Sequence, residues 1–502
     1  MQSSLNNLSK DTLLNGHFQN VVKPGHSYSQ LPERVLQFGT GVLLRALPDY
    51  YIDKANRKNI FNGRIVVVKS TTQGNTHSFK RQDCLYTHCL RGIENGKIIE
   101  ENIINSSISR VLDAHTEWKD VLDCASSINI NIVISNTTEA GLQYIPEKIT
   151  DKMPESFPGK LLACLHNRYL SSGKKGNGMV ILPTELLPDN GTKLKNILEE
   201  LAEYNNYPEE FRNWLVTENT FCNTLVDRIV PGAPSHIQKE IEQSIGYTDE
   251  LMIMSETYGL WAIEGDDAVR NVLTFSQVDP GILIEEDITK YRELKLRLLN
   301  CNHSMSCALS FLAGMNTVRE SMANPDVSAF IMQLMQGETA VAIQEEIIID
   351  EAIAFSNILF NRFRNPYINH QWLDVSTHYT AKIKIRLLPI LEKYYRLYGR
   401  PPRLISLGFA AYIFFSKPVK KINNQYYGEY NGEVYPIRDE FAASFDKKWK
   451  NNNLEELVRS VLSDTDLWEE DINLYDGLTK AITKNLESII NEGIQSTLKK
   501  LI

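Results

Sequence analysis

The chain is poor in the features that mark secreted, membrane-spanning or nucleic-acid-binding proteins. Cysteine is scarce: seven in 502 residues, at 84, 89, 124, 164, 222, 301 and 307, an odd number with no C-x-x-C pair. That spacing excludes a disulfide framework and a paired-cysteine zinc site, and it fits free thiols in a reducing compartment. No long apolar run is present; the longest, at 404–415, has 12 residues, where a spanning helix needs about 20. The N-terminal stretch lacks a basic start followed by an apolar core, so no secretory signal is expected and a cytoplasmic location is. No Lys/Arg cluster offsets a formal net charge of -9, which disfavours a phosphate backbone or a membrane surface as partner. Gly and Pro are not in excess, internal repeats are absent, and the one brief low-complexity stretch is KNNN at 450–453. Disordered and fibrous classes are therefore out.

What remains is an ordinary globular composition, 42% hydrophobic and 23% charged, in a chain long enough for two large domains. The first part alternates β-branched runs with helical stretches. Runs at 34–39, 63–70, 130–135 and 178–185 are nearly continuous in apolar residues, as strands of a parallel sheet covered on both faces would be. Helices are expected between or after them at 42–57, 115–125, 158–170 and 193–204, an α/β pattern. An antiparallel insertion is expected around Asn95-Gly96, a dipeptide suited to a tight hairpin turn. After about residue 285 the strand signals fade. Helices are expected at 288–313, 327–335, 345–361, 378–397 and 471–499, interrupted by a polar hairpin at 422–437 with a turn at Asn431-Gly432. The expected organisation is a Rossmann-type domain over 1–285 and a mainly helical domain over 286–502.

Two stretches carry chemistry. The first is a strand, then Gly39-Thr40-Gly41, then a helix. In a dinucleotide site the first glycine permits the turn, the second admits the pyrophosphate, and the helix N-terminus presents unpaired N–H groups. Gln37 and Phe38 end the strand, and Val42, Leu43, Leu44 and Arg45 open the helix. Leu44 stands where a third glycine is usual. A bare G-x-G is also compatible with a simple strand-to-helix turn. The second strand ends in Lys69, with no acid there to hold a ribose 2'-hydroxyl; a lysine at that point suits a 2'-phosphate instead, which leaves NAD against NADP open. Asn136 and Thr137, in the polar loop 135–141 after another strand, are the third candidate element, although a capped turn explains them equally.

The second stretch is "KLRLLNCNHS" at 295–304. On an α-helix with about 3.6 residues per turn, Lys295 and His303 lie about 80° apart and Asn300 about 140° from Lys295. On one broad face they can converge on one small molecule. A lysine between Leu294 and Leu296 is expected to have its ammonium form disfavoured, which makes it a usable proton donor or acceptor. Asn300 and His303 can donate to an oxygen that gains charge in a transition state. A snorkelling lysine and a structural histidine are the plain alternative. Cys301 and His303 are too close in sequence to define a zinc site, and no H-E-x-x-H accompanies them, so no metal is expected.

The glycine loop with Arg45, "SNTTEAG" at 135–141, "FCNTLVDRIVPG" at 221–232, "RFRNPYINHQ" at 362–371 and the Lys295, Asn300, His303 spacing together resemble the polyol-specific long-chain dehydrogenases, the mannitol dehydrogenase family. The resemblance runs from about residue 31 to the C-terminus. It implies a Rossmann-type domain followed by a helical domain, and an NAD-linked, metal-independent interconversion of D-tagaturonate and D-altronate. It also implies Lys295 as general acid/base, Asn300 and His303 as the pair that polarises the carbonyl, Lys382 against the substrate carboxylate, and Asn223 and Asp227 bordering the substrate. Cys301 departs from the glycine common in the family after the motif asparagine, and 374–382 also differs from relatives. Fructuronate or mannitol as substrate, or a sugar-acid binding protein without chemistry, are the alternatives.

Overall fold

The computed structural model describes residues 5–16, 18–25, 27–71, 76–137, 141–172, 176–450 and 453–502. The chain divides into two compact units, Met1–Ile288 and Thr289–Ile502.

The first unit is built on a six-stranded parallel sheet of β1 (Glu33–Phe38), β2 (Arg64–Lys69), β3 (Ile108–Asp113), β4 (Ile132–Ser135), β5 (Val180–Pro183) and β6 (Thr220–Phe221). Their spatial order is β3-β2-β1-β4-β5-β6, all neighbours parallel. This is the doubly wound dinucleotide-binding order, and its direction reverses between β1 and β4. Successive residues of the continuous apolar runs serve opposite faces. Val35, Ile65, Val67 and Ile134 enter one core, and Leu36, Phe38, Val66, Val68 and Val133 enter the other. Both faces are thus covered, which explains why these strands do not alternate in polarity. Strands β3 and β6 escaped the sequence reading: β3 carries Ser109 and Arg110 among its apolar residues, and β6 has only two residues.

The insertion is present as Tyr86–Glu94 and Lys97–Asn105, with Glu94 opposite Lys97. Asn95 (φ 50°) and Gly96 (φ 75°) supply the left-handed turn. A third strand, Ile253–Ser255, joins it in parallel. A small mixed sheet of Thr224–Asp227, Leu260–Glu264 and Ile282–Glu285 was not expected. The single helix expected at 42–57 is two: α1 (Val42–Ala46) and α2 (Pro48–Arg57). Pro48 explains the break, since a proline disfavours helical geometry in the residue before it, and Leu47 leaves the helical region at φ -122°, ψ -78°.

The second unit is helical, apart from a meander of Lys420–Ile422, Gln425–Tyr430 and Glu433–Ile437. It has three strands rather than two because Asn423 and Asn424 make a second left-handed turn beside the expected one at Asn431-Gly432. The helix expected at 288–313 is not continuous α-helix. A short α-helix, Thr289–Glu293, leads into a π-helical segment, Leu294–Cys301, and then into α3 (Asn302–Leu312). A second π segment, Leu334–Thr339, follows the helix Pro325–Gln333. Three more helices matter below: α4 (Ile349–Phe363), α5 (Tyr379–Tyr398) and α6 (Arg403–Phe415). The long apolar run is α6, buried on nearly every side between α3 and Leu478–Glu492. The helix expected at 471–499 is cut at Gly493 (φ 81°), after which Ile494–Leu501 resumes.

All seven cysteines are free and buried. Among the described residues no helix is long and apolar enough to cross a membrane.

Candidate active site

The turn after β1 lies at the sheet's reversal point. Gly39 has φ +127°, and a Cβ there would meet Leu44 Cδ1 at 2.8 Å and the Asn136 carbonyl oxygen at 3.3 Å. Glycine is required at that position, and Leu44, in place of the missing third glycine, packs over it. Gly41 is different. It caps α1 without a side-chain bond to the first turn, and a Cβ there would meet nothing within 4 Å. The space beside it is free for a ligand to approach the backbone, so the loop fits a pyrophosphate. The neighbouring residues divide by role. Phe38 is core, edge-on to Phe157 at 5.2 Å. Gln37 is buried, its Nε2 3.4 Å from both the Gly39 carbonyl and Asp49 Oδ2. Arg45 turns inward and donates to the Leu251 carbonyl at 2.6 Å, so its contribution to the loop is backbone only. Thr40, Val42 and Leu43 are half-buried along the turn.

The loop after β4 is anchored by Glu185. Its carboxylate accepts from Ser135 Oγ, Thr137 N and Thr137 Oγ1, while Asn136 Nδ2 donates to the Thr184 carbonyl. Residues 138–140 of that motif lie outside the described residues. At the end of β2, Lys69 Nζ donates to the Thr71 carbonyl at 2.6 Å and to Asp113 Oδ2 at 3.1 Å. Asp113 ends the adjacent β3; burial is the largest single effect and pushes its carboxyl up, but the bonds from Lys69 and the His115 N–H, with the charges beside them, together outweigh it and hold the carboxyl below the usual range. The acid missing from β2 in sequence thus arrives from the next strand and neutralises the lysine.

In the second unit, Lys295 and Asn300 both lie in the first π segment and both are half-buried; His303 is buried on α3. The α-helical angles therefore do not apply between Lys295 and Asn300. A π-helix bonds residue i to i+5, which stacks residues five apart about one turn from each other. Lys295 and Asn300 are five apart, and the π-turn brings onto one side what an α-helix would separate. Arg297 docks this segment on α5. Its Nη1 donates to the carbonyls of Ile385 (3.0 Å) and Arg386 (3.2 Å), and Glu293 holds its other edge. Pro389 accounts for the acceptor, because its missing N–H leaves the carbonyl four residues earlier, Ile385, without a helical donor. The helix does not end at this proline but runs on to Tyr398.

His303 stacks on Phe363 at 4.5 Å and meets the His370 ring edge-on at 5.1 Å. Its Nε2 is buried without a hydrogen-bond partner. Burial chiefly, then His370 and the positive charges of Arg386, Arg362 and Lys382, push its pKa well below the ordinary value, and burial lowers that of His370 as well. His303 is a neutral imidazole at neutral pH. Arg386 Nη1 donates to Ser304 Oγ (2.9 Å) and lies 3.3 Å from the Asn300 carbonyl. Lys382, one turn earlier on α5, donates to the Val375 carbonyl at 3.0 Å, and burial, then Arg386, lower its pKa. Asp374 acts on His370 and Glu440 on Lys382, and each also pairs elsewhere, Asp374 with Arg438 and Glu440 with His378. Arg386, Arg362 and Lys382 thus act on an imidazole whose Nε2 is buried without a hydrogen-bond partner. Arg362, His370 and Arg386 were not among the sequence candidates. Two sit in "RFRNPYINHQ", but no periodicity singles them out, and only the fold brings α4 and α5 beside α3.

Asn223 and Asp227 belong to the first unit. Asn223 Nδ2 donates to Glu264 and its Oδ1 accepts from Thr192 N, so its side chain ties a sheet to a helix start. Asp227 is buried at the end of its strand, and the adjacent Arg228 donates to the carbonyls of Ala46, Glu256 and Thr257.

Models for the mannitol dehydrogenase Rossmann domain and the mannitol dehydrogenase C-terminal domain match residues 33–277 and 287–490. The chain belongs to the mannitol dehydrogenase family. Two similar family members are the altronate oxidoreductases of Halalkalibacterium halodurans, 38% identical over 485 residues and 94% of each chain, and of Bacillus subtilis, 34% identical over 477 residues, 94% of this chain and 96% of the other. Among solved structures, Pseudomonas fluorescens mannitol 2-dehydrogenase, determined with NAD and D-mannitol, is 22% identical with a TM-score of 0.69 over 99% of each chain. A D-sorbitol dehydrogenase is 19% identical with a TM-score of 0.79, over 98% of this chain and 100% of the other. Both share the fold. As a member of the mannitol dehydrogenase family, the chain is a polyol or sugar-acid dehydrogenase.

Proposed function

We propose that the chain is an NAD-dependent tagaturonate reductase, a cytoplasmic enzyme that interconverts D-tagaturonate and D-altronate. The observation that carries the choice of an acid over a neutral polyol is the positive charge of Arg386, Arg362 and Lys382 acting on His303, with Arg386 bonded to the neighbouring Ser304. A fixed carboxylate is the natural counter-ion for such a group, and charge-assisted bonds to it are about twice as strong as neutral ones. The names of the similar altronate oxidoreductases support the same reading.

When bound, the nicotinamide supplies or takes the hydride at the substrate carbon. The open backbone at Gly41 and the first turn of α1 hold its pyrophosphate. The paired Lys69 and Asp113 present no net positive charge to a 2'-phosphate, which favours NAD over NADP. Lys295 donates the proton to the carbonyl oxygen during reduction and accepts it during oxidation. Asn300 and the neutral His303, in its Nε2–H tautomer, donate to that oxygen as charge grows on it. Asn223, Asp227 and Lys382 are assigned to the substrate, Lys382 to its carboxylate.

Tagaturonate, fructuronate and fructose assayed side by side with NADH and NADPH test the reading. Turnover of tagaturonate with NADH well above the rest supports it. Preference for fructuronate or fructose replaces the substrate, and cofactor binding without turnover of any of them replaces the enzyme with a binding protein.

A further inference from the structure

We propose that Asn302 and Thr339 are positioning residues, whose mutual hydrogen bond fixes the register of both π segments and thereby the placement of Lys295 and Asn300. The inference rests on the proposed role of Lys295.

A π-turn inserted into an α-helix displaces backbone bonds and leaves carbonyls to be satisfied by other donors. At the first segment that donor is the Asn302 side chain. Its Nδ2 lies 2.8 Å from the Leu298 carbonyl and 3.3 Å from that of Arg297, four and five residues back. At the second segment Thr339 repeats the pattern, with Oγ1 2.9 Å from the Met335 carbonyl and 3.3 Å from that of Leu334, again four and five residues back. The two residues then meet, Asn302 Nδ2 donating to Thr339 Oγ1 at 3.0 Å. Both are fully buried.

The donors fix the direction of the chain. An amide nitrogen only donates, so Thr339 Oγ1 accepts from Asn302 and its single proton goes to the Met335 carbonyl. Turning the amide over would aim its oxygen at the Leu298 carbonyl, which excludes that orientation. Asn302 Oδ1 is left buried and unpartnered, so the residue is held in place by its nitrogen alone. Each π-turn needs its back-bonding side chain, and each side chain is oriented by the other. If the first segment relaxed to α-helix, Lys295 and Asn300 would move to about 140° apart and no longer address one oxygen.

The test is the full chain assayed with tagaturonate and NADH. Thr339→Val keeps the shape and removes the hydroxyl. The expected result is a kcat lower by about tenfold or more, the size of loss a misplaced reacting group produces, with KM for NADH unchanged and the pH profile of kcat displaced. Thr339→Ser, which restores the hydroxyl, is expected to recover kcat. A Thr339→Val enzyme with wild-type kcat and pH profile overturns the proposal, as does Thr339→Ser as impaired as Thr339→Val. Hydrogen exchange on the wild type needs no variant. One common opening rate for the amides of 298–302 and 335–339 is expected, and separate rates overturn the lock. Lys295→Ala separates the two readings: undiminished turnover there sinks the site assignment, whereas lost turnover there beside an intact Thr339→Val sinks only the lock.

Discussion

The glycine loop of the first unit and the π segment of the second reach their geometry by opposite routes. At Gly39 a single atom decides: the positive φ and the approach of Leu44 exclude a Cβ, so the residue's identity is the geometry. Between Lys295 and Asn300 no residue type announces the π-turn. It is held through partners outside the segment, the α5 carbonyls that accept from Arg297 and the Thr339 hydroxyl that accepts from Asn302. A loop defined by what its residues lack can be read locally, whereas a helix defined by an altered register is held by partners distant in sequence.

The sharpest way to break this contrast is Lys295→Ala. Loss of a general acid/base is expected to lower kcat by about 100- to 10,000-fold, with NADH affinity, measured by titration calorimetry, unchanged. Equal loss of both would mean that the π segment serves binding instead. Next comes Lys382→Met, expected to reduce kcat/KM for tagaturonate by about tenfold to a hundredfold, the value of about 1.5–3 kcal/mol for a hydrogen bond to a charged group. Fructose reduction, with no carboxylate to lose, serves as the internal control.

The two glycines sharpen the loop side. Gly39→Ala is expected to destabilise the fold by about 1–3 kcal/mol, seen as a lower urea midpoint. Gly41→Ala should leave that midpoint in place and weaken NADH binding. The reverse pattern would exchange their roles. A smaller effect is expected from Asp113→Asn: freed of its counter-ion, Lys69 should accept a 2'-phosphate and narrow the NADH over NADPH preference by about tenfold, about one charge-assisted bond.

The smallest effect belongs to pH and compares one histidine from each unit. Burial holds both His88 and His303 well below the ordinary value, so both stay neutral in the folded chain. As pH falls below about 6.5 the unfolded chain takes up protons that the folded one does not. Stability present above that pH is therefore lost progressively below it. Urea midpoints at pH 7.5, 6.5 and 5.5 should fall in that order, and His303→Asn should flatten the trend.

Much of the first unit was legible because a parallel sheet buried on both faces writes itself as apolar runs, and Asn95-Gly96 writes a turn. The strands missed, β3 and β6, are the polar and the very short ones, where neighbours rather than propensity make the strand. In the second unit Lys295, Asn300 and His303 were singled out by spacing and resemblance on the expectation of a continuous α-helix, whereas Lys295 and Asn300 lie in a π segment. Asp113, Arg386, Arg362 and His370 were out of reach, since each matters only through a contact across elements: Lys69 with Asp113, Ser304 with Arg386, His303 with His370 and its neighbours. Arg45 shows the converse. A charge beside the loop in sequence points away from it, because the Leu251 carbonyl and the rings of Tyr86 and Phe79 receive it.

The seven interior sulfhydryls give the molecule a built-in reporter. Cys301 and Cys307 are held as thiols by their surroundings, each pushed up to about 12, and none of the seven is exposed. An alkylating reagent therefore finds no nucleophile on the intact surface. The pace at which label accumulates becomes a stopwatch for the opening of each half: Cys84, Cys89, Cys124, Cys164 and Cys222 time one, and Cys301 and Cys307 the other.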